Sequence, residues 1–141
     1  MIKRILGIDL GEARIGLAIS DELGMLAHPL ETVHLKEVAD PVERIAAIAV
    51  RDDISKIVLG LPRNMNGTYG PASEKARAFA EKLTLRIGCE VKLWDERLTS
   101  VAAQRSLHEA GRTVKQSRAV IDQVAAQLIL QGYLDSQAMQ L

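Results

Sequence analysis

Residues 7–21, "GIDLGEARIGLAISD", decide how the fold is read. Together with Ile5 and Leu6, the first half becomes "ILGIDL" (5–10), apolar and β-branched enough for a strand buried on both faces. "GEAR" (11–14) supplies a turn. "IGLAIS" (15–20) reads as a second strand, folded back on the first as a hairpin. Side chains alternate along a strand, so Leu6, Ile8 and Leu10 share one face while Ile5, Gly7 and Asp9 share the other. A carboxylate is thus written into a buried strand near its carboxyl end, and aspartate is seldom buried without a partner. The bare Gly7 beside Asp9 is expected to leave room for a ligand.

Beyond the hairpin, "LETVHL" (30–35) suggests a third strand. Asp40, Pro41 and Glu43 then read as a helix start: a capping aspartate, a proline at the first helical position and a glutamate completing a capping-box pair. That helix is expected to run to about Arg51. "KIVLGL" (56–61) reads as a buried strand, and "PRNMNGTYGP" (62–71) as a loop. Ala76, Phe79, Ala80 and Leu83 mark a helix over about 72–86, and "VKLWDE" (91–96) is a further strand. Ala103, Leu107 and Ala110 mark a helix from about Ser100, capped by Gly111. "GRTVKQSR" (111–118) is a basic loop, and the last helix is expected over about 119–134. The order βββαβαβαα implies one α/β domain over residues 1–141. Its mixed five-stranded sheet carries helices on both faces, with the strands at 5–10, 56–61 and 91–96 parallel. Ligands of such sheets sit beyond the carboxyl ends of the strands.

Composition narrows the function. The chain has 141 residues, 48% hydrophobic and 26% charged, which suits a soluble globular domain with a sizeable core. Eighteen basic and eighteen acidic residues balance, which argues against nonspecific coating of nucleic acid but not against a basic rim around an acidic site. Aromatics at 3% argue against a platform for stacking single-stranded bases. Cys89 is the only cysteine, so no intramolecular disulfide forms, and no stretch approaches the ~20 apolar residues of a membrane helix. The N-terminus lacks a secretory cleavage site, so a cytoplasmic protein without a membrane partner is expected. His28, His34 and His108 have no metal-ligand spacing, and neither a GxSxG elbow nor a GxxxxGK[ST] loop is present.

The acids carry the chemistry. If the strands are parallel, Asp95 and Glu96 arrive at the same edge as Asp9. In the last helix Ile121, Val124, Ala125, Leu128 and Ile129 form an apolar arc, with Asp122 at its border and Gln123, Gln127 and Gln131 on another side. Asp9, Glu96 and Asp122 could therefore meet, and three close carboxylates cannot stay ionised and unpaired. Hard divalent cations, Mg²⁺ or Mn²⁺, resolve this with oxygen ligands. Two such ions ~4 Å apart activate water and stabilise the leaving oxygen in phosphodiester hydrolysis. The plainer readings are an Asp9–Arg14 ion pair across the hairpin, a solvated Glu96 with Asp95 as the competing acid, and Asp122 as an ordinary helix-flank residue. Arg14, Arg63 and Arg97, with Arg112, Lys115 and Arg118, lie on loops or element ends. They form a candidate rim for phosphates, the last three reading more readily as solubility residues.

Four segments, "GIDLGEARIGLAISD", "IVLGLPRNMNGTYGPASEKARAFAEKL", "WDERLTSVAAQRSL" and "IDQVAAQLILQGYLD", resemble in order and spacing the YqgF/RuvX family of Holliday junction resolvase-like proteins, also described as pre-16S ribosomal RNA nucleases. The resemblance implies an RNase H-like fold and a metal-dependent nuclease whose acids fall on Asp9, Glu96 and Asp122. It implies structured nucleic acid as substrate, with pre-16S rRNA or the small-subunit precursor ahead of four-way DNA junctions, and leaves monomer and homodimer both open. Ala13 stands where the family usually has lysine, and Ser100 where threonine is common.

Overall fold

In a computed structural model, which describes residues 3–62, 68–96 and 114–138 (side chains of the last stretch from Ile121), the opening hairpin forms as its alternation predicts. β1 (Arg4–Leu10) pairs antiparallel with β2 (Arg14–Ser20), placing Asp9 opposite Gly16. β3 (Ala27–His34) pairs antiparallel with β2 and starts three residues before the expected Leu30. Pro29, which has no N–H to give, is tolerated because β3 is an edge strand.

α1 (Pro41–Arg51) starts where the sequence predicts: the Asp40 carboxylate accepts from the backbone N–H groups of Val42 and Glu43 at 3.0 and 3.4 Å. The capping box does not close, however. The Glu43 carboxylate instead takes two bonds from Arg86 at 2.6 and 2.9 Å, because the guanidinium fork offers paired charged donors where the backbone offers one neutral N–H. β4 (Ile54–Leu61) and β5 (Glu90–Asp95) run parallel to β1, with α2 (Pro71–Ile87) between them in sequence. The strand order is β3-β2-β1-β4-β5.

α3 (Val114–Ala138) corrects the expected start at 119, and residues 114–118, read as part of a basic loop, are helical. Their charge suggested a loop, but lysine, glutamine and arginine are good helix formers. The helix expected from Ser100 and its Gly111 cap lie outside the described residues.

Helices cover both faces. Toward α1 and α2 the sheet presents Leu6, Ile8, Ile15, Leu17, Ile57 and Leu59, which pack with Ile45, Ile48, Phe79 and Leu83. Burial of each large side chain contributes about 1.5–3 kcal/mol. Toward α3 the sheet presents Gly7, Gly16, Ala18, Val58 and Gly60. A Cβ on Gly7 would lie 2.7 Å from Leu130 Cβ, and one on Gly16 would collide with the Asp122 carbonyl oxygen. The space beside Asp9 that the sequence left for a ligand is therefore filled by the helix backbone, which only glycine lets come so near. Among the described residues no helix is long and apolar enough to cross a membrane.

Candidate active site

Asp9 sits at the carboxyl end of β1, 4% exposed, on the face that carries α3. Glu96 follows directly on β5. It turns back over β4 on the same face: a Cβ on Gly60 would come within 2.9 Å of Glu96 Oε1 and 2.6 Å of Ile129 Cδ1. Asp95, one residue earlier, pairs in register with Leu61, whose side chain belongs to the opposite core. Alternation thus puts Glu96, and not Asp95, on the face that holds Asp9.

Asp122 is 8% exposed and stands within the buried stripe of α3, not at its border. The stripe runs through Ile121, Ala125, Ala126, Ile129, Leu130 and Tyr133, while Val124 and Leu128 are only half-buried. The helix is rolled from the expected arc because Gly7 and Gly16 recede, and the residues over them sink deepest. Three acids predicted from distant points of the chain therefore share one face and one edge of the sheet.

Arg14 opens β2, and its Nε donates to Asp122 Oδ2 at 2.6 Å, both side chains being largely shielded. Sequence reasoning offered Asp9 as the partner of Arg14, and this bond reaches the last helix instead. The turn itself is closed by the Gly11 N–H donating to the Arg14 carbonyl at 2.9 Å. A bond between two ionised groups is short and strong, and it supplies the counter-charge that a buried carboxylate needs.

In donor chemistry the set fits a hard divalent cation: three carboxylates, oxygen only, two of them buried. As placed, with Asp122 turned to Arg14, no three acidic, histidine or cysteine side chains among the described residues stand close enough together to hold an ion. Arg63 and Arg97 lie outside the described residues, as do Arg112 and His108, and so do the side chains of Lys115 and Arg118. His28 and His34 are exposed on β3. Cys89 packs half-buried against the α1/α2 core, and burial pushes its thiol up, away from a nucleophile's range.

Sequence reasoning missed the work of the glutamine stripe. Gln123 Nε2 donates to Thr32 Oγ1 at 3.1 Å, Gln127 Nε2 to the Ala27 carbonyl at 3.0 Å, and Gln131 Nε2 to the Met25 carbonyl at 2.9 Å. Gln131 Oε1 accepts from the Ala27 N–H at 2.9 Å. These bonds fasten α3 along β3 and so help to fix where Asp122 stands. The available signal was their i, i+4 spacing on the side flanking the apolar arc.

A family described as "RuvX: Holliday junction resolvase" matches residues 3–136. A Clostridium botulinum (strain Hall) protein named "Putative pre-16S rRNA nuclease" is 47% identical, the match covering 94% of this chain and 97% of its own. A Symbiobacterium thermophilum protein of the same name is 48% identical, covering 96% and 94%. Among solved structures, Thermus thermophilus RuvC in complex with a Holliday junction substrate superposes with a TM-score of 0.54 at 14% identity over 94% of this chain and 96% of that one. The fowlpox virus Holliday junction resolvase gives 0.55 at 14% identity over 94% and 99%. These likenesses bear out the expected RNase H-like α/β fold.

Proposed function

This chain belongs to the RuvX family, and on that premise we propose that it is a nuclease, a hydrolase of phosphodiester bonds, with Asp9, Glu96 and Asp122 as ligands of Mg²⁺ or Mn²⁺. One observation carries the reading. Carboxylates from β1, from the residue after β5 and from α3 lie on one sheet face at the carboxyl end of the parallel strands, where ligands of such sheets bind.

A divalent cation held by these oxygens would neutralise charge at the scissile phosphate and acidify a water. The chain's own contribution is placement. Close packing of α3 over Gly7 and Gly16 holds Asp122 beside the strand that carries Asp9. Arg14, Arg63 and Arg97 would orient phosphate oxygens, since a guanidinium fork matches them geometrically.

The favoured substrate is pre-16S rRNA, cut in maturing its 5′ end in the cytoplasm, because relatives matched at near full length and 47–48% identity carry that name. Four-way DNA junctions are the second reading, favoured by the description of the family. Cleavage of both substrates at one salt concentration separates them, since phosphate contacts make affinity salt-dependent. For the chemistry the test is Asp9→Asn on purified protein with Mg²⁺ or Mn²⁺. Loss of a direct ligand should lower the rate by at least about 10²-fold, more than changes around a metal site usually cost. Unaltered cleavage would reject the role given to Asp9, whereas a non-catalytic RNA-binding assembly role predicts that substituting the acids leaves rRNA maturation in cells intact.

A further inference from the structure

We infer that Arg14 and the divalent cation are alternative counter-charges for Asp122, so that loading the cation releases the Arg14 guanidinium toward substrate. The inference rests on the metal site proposed above and adds a coupling between its two halves.

Three observations lead to it. Asp122 is buried, and Arg14 meets its Oδ2 through a short bond of 2.6 Å. The Asp122 backbone cannot withdraw from that position: it rests on Gly16, and the next turns of α3 rest on Gly7, through Ala126 and Leu130. Packing, not the ion pair, thus fixes where the charge is, and the charge needs a partner in every state of the site. Arg14, by contrast, is the first residue of β2, and its long side chain keeps a quarter of its surface in solvent, so the stem can swing.

Two cationic partners cannot share one small carboxylate closely without repelling each other. A cation bridging Asp9, Glu96 and Asp122 would therefore displace the guanidinium. The displaced group stands at the same strand edge with its donors open, placed to take a phosphate oxygen. Arg14 would then balance the Asp122 charge before loading and contact substrate only after it.

The experiment measures binding, not turnover. Mn²⁺ is titrated calorimetrically into wild-type protein, into Arg14→Gln and into the surface control Arg4→Gln, whose partner Glu22 is exposed. Competition predicts that Arg14→Gln binds Mn²⁺ at least fivefold more tightly than wild type, with a larger rise in Tm on loading, and that Arg4→Gln matches wild type. Equal or weaker affinity in Arg14→Gln, with wild-type binding intact, overturns the exchange. Absence of binding in wild type overturns the metal site itself.

A second measurement needs no variant. The side-chain Nε–H resonance of Arg14 is followed by NMR during Mg²⁺ titration. It should move along the same isotherm as cation binding. A resonance unmoved at saturation sinks the proposal.

Discussion

Against α1 and α2 the sheet offers leucine and isoleucine at nearly every inward position, whereas against α3 it offers Gly7, Gly16, Ala18 and Gly60. Bulk fills the first interface and holds two helices off the sheet. Absence of bulk lets a single helix lie almost on the backbone of the second. The difference explains why the acids gather on one side only. A carboxylate among interlocking aliphatic side chains would be stranded. Where strand backbone and helix backbone nearly touch, short side chains such as Asp9 and Asp122 can be brought together from 113 positions apart in the chain.

The sharpest way to break this comparison uses adjacent residues on opposite faces. Glu96→Gln should lower the cleavage rate by at least about 10²-fold, like Asp9→Asn, while Asp95→Asn should stay within a few-fold of wild type. Equal losses would show that the two faces do not divide the labour. Next come paired changes in packing. Leu59→Ala removes volume from the crowded face and should cost about 2–5 kcal/mol in denaturant unfolding. Gly16→Ala adds one methyl to the bare face and should cost about 3 kcal/mol, the upper end of overpacking, because it meets backbone and not a side chain that can turn. The two should part in activity: Leu59→Ala remains active wherever it is folded, and Gly16→Ala loses activity even when folded, since Asp122 is pushed away.

The smallest effect lies on the solvent side of the crowded face. Arg86 holds the Glu43 carboxyl below the usual glutamate range. The contribution of that pair is therefore present above the unfolded-state value and lost as pH falls through the lower folded one. Glu43→Gln should lower Tm slightly at neutral pH, and the difference from wild type should shrink as pH falls below the ordinary glutamate value and vanish once Glu43 is protonated in the folded state. A persistent gap there would assign the loss to helix capping instead.

Much of this was legible because strand alternation and capping are local. Reading Leu6, Ile8 and Leu10 against Gly7 and Asp9 divided the faces correctly, and Asp40 with Pro41 marked a helix start that the structure keeps. The choice between Asp95 and Glu96 stayed open in the sequence, because only the pairing of β5 with β4 shows which face each takes. What escaped depends on contacts between distant segments. Gly7 read as space for a ligand because nothing near it in sequence announces Leu130. The roll of α3 escaped for the same reason: Val124 and Leu128 are as apolar as Ala126 and Leu130, and only the shape of the opposing sheet decides which of them is buried. The partner of Arg14 lies 108 residues away, so a local reading could offer only the nearer Asp9, as the plainer alternative to a metal ligand.

The glutamines of α3 have one more effect, on the outer margin of the sheet. At Ala27 both the amide and the carbonyl are engaged by Gln131 and Gln127, and the Met25 carbonyl is engaged by Gln131. Two positions on, Pro29 has no amide to offer. A foreign strand seeking to dock alongside the start of β3 would find its template already taken, so the helix that carries Asp122 also guards this border against unwanted sheet extension.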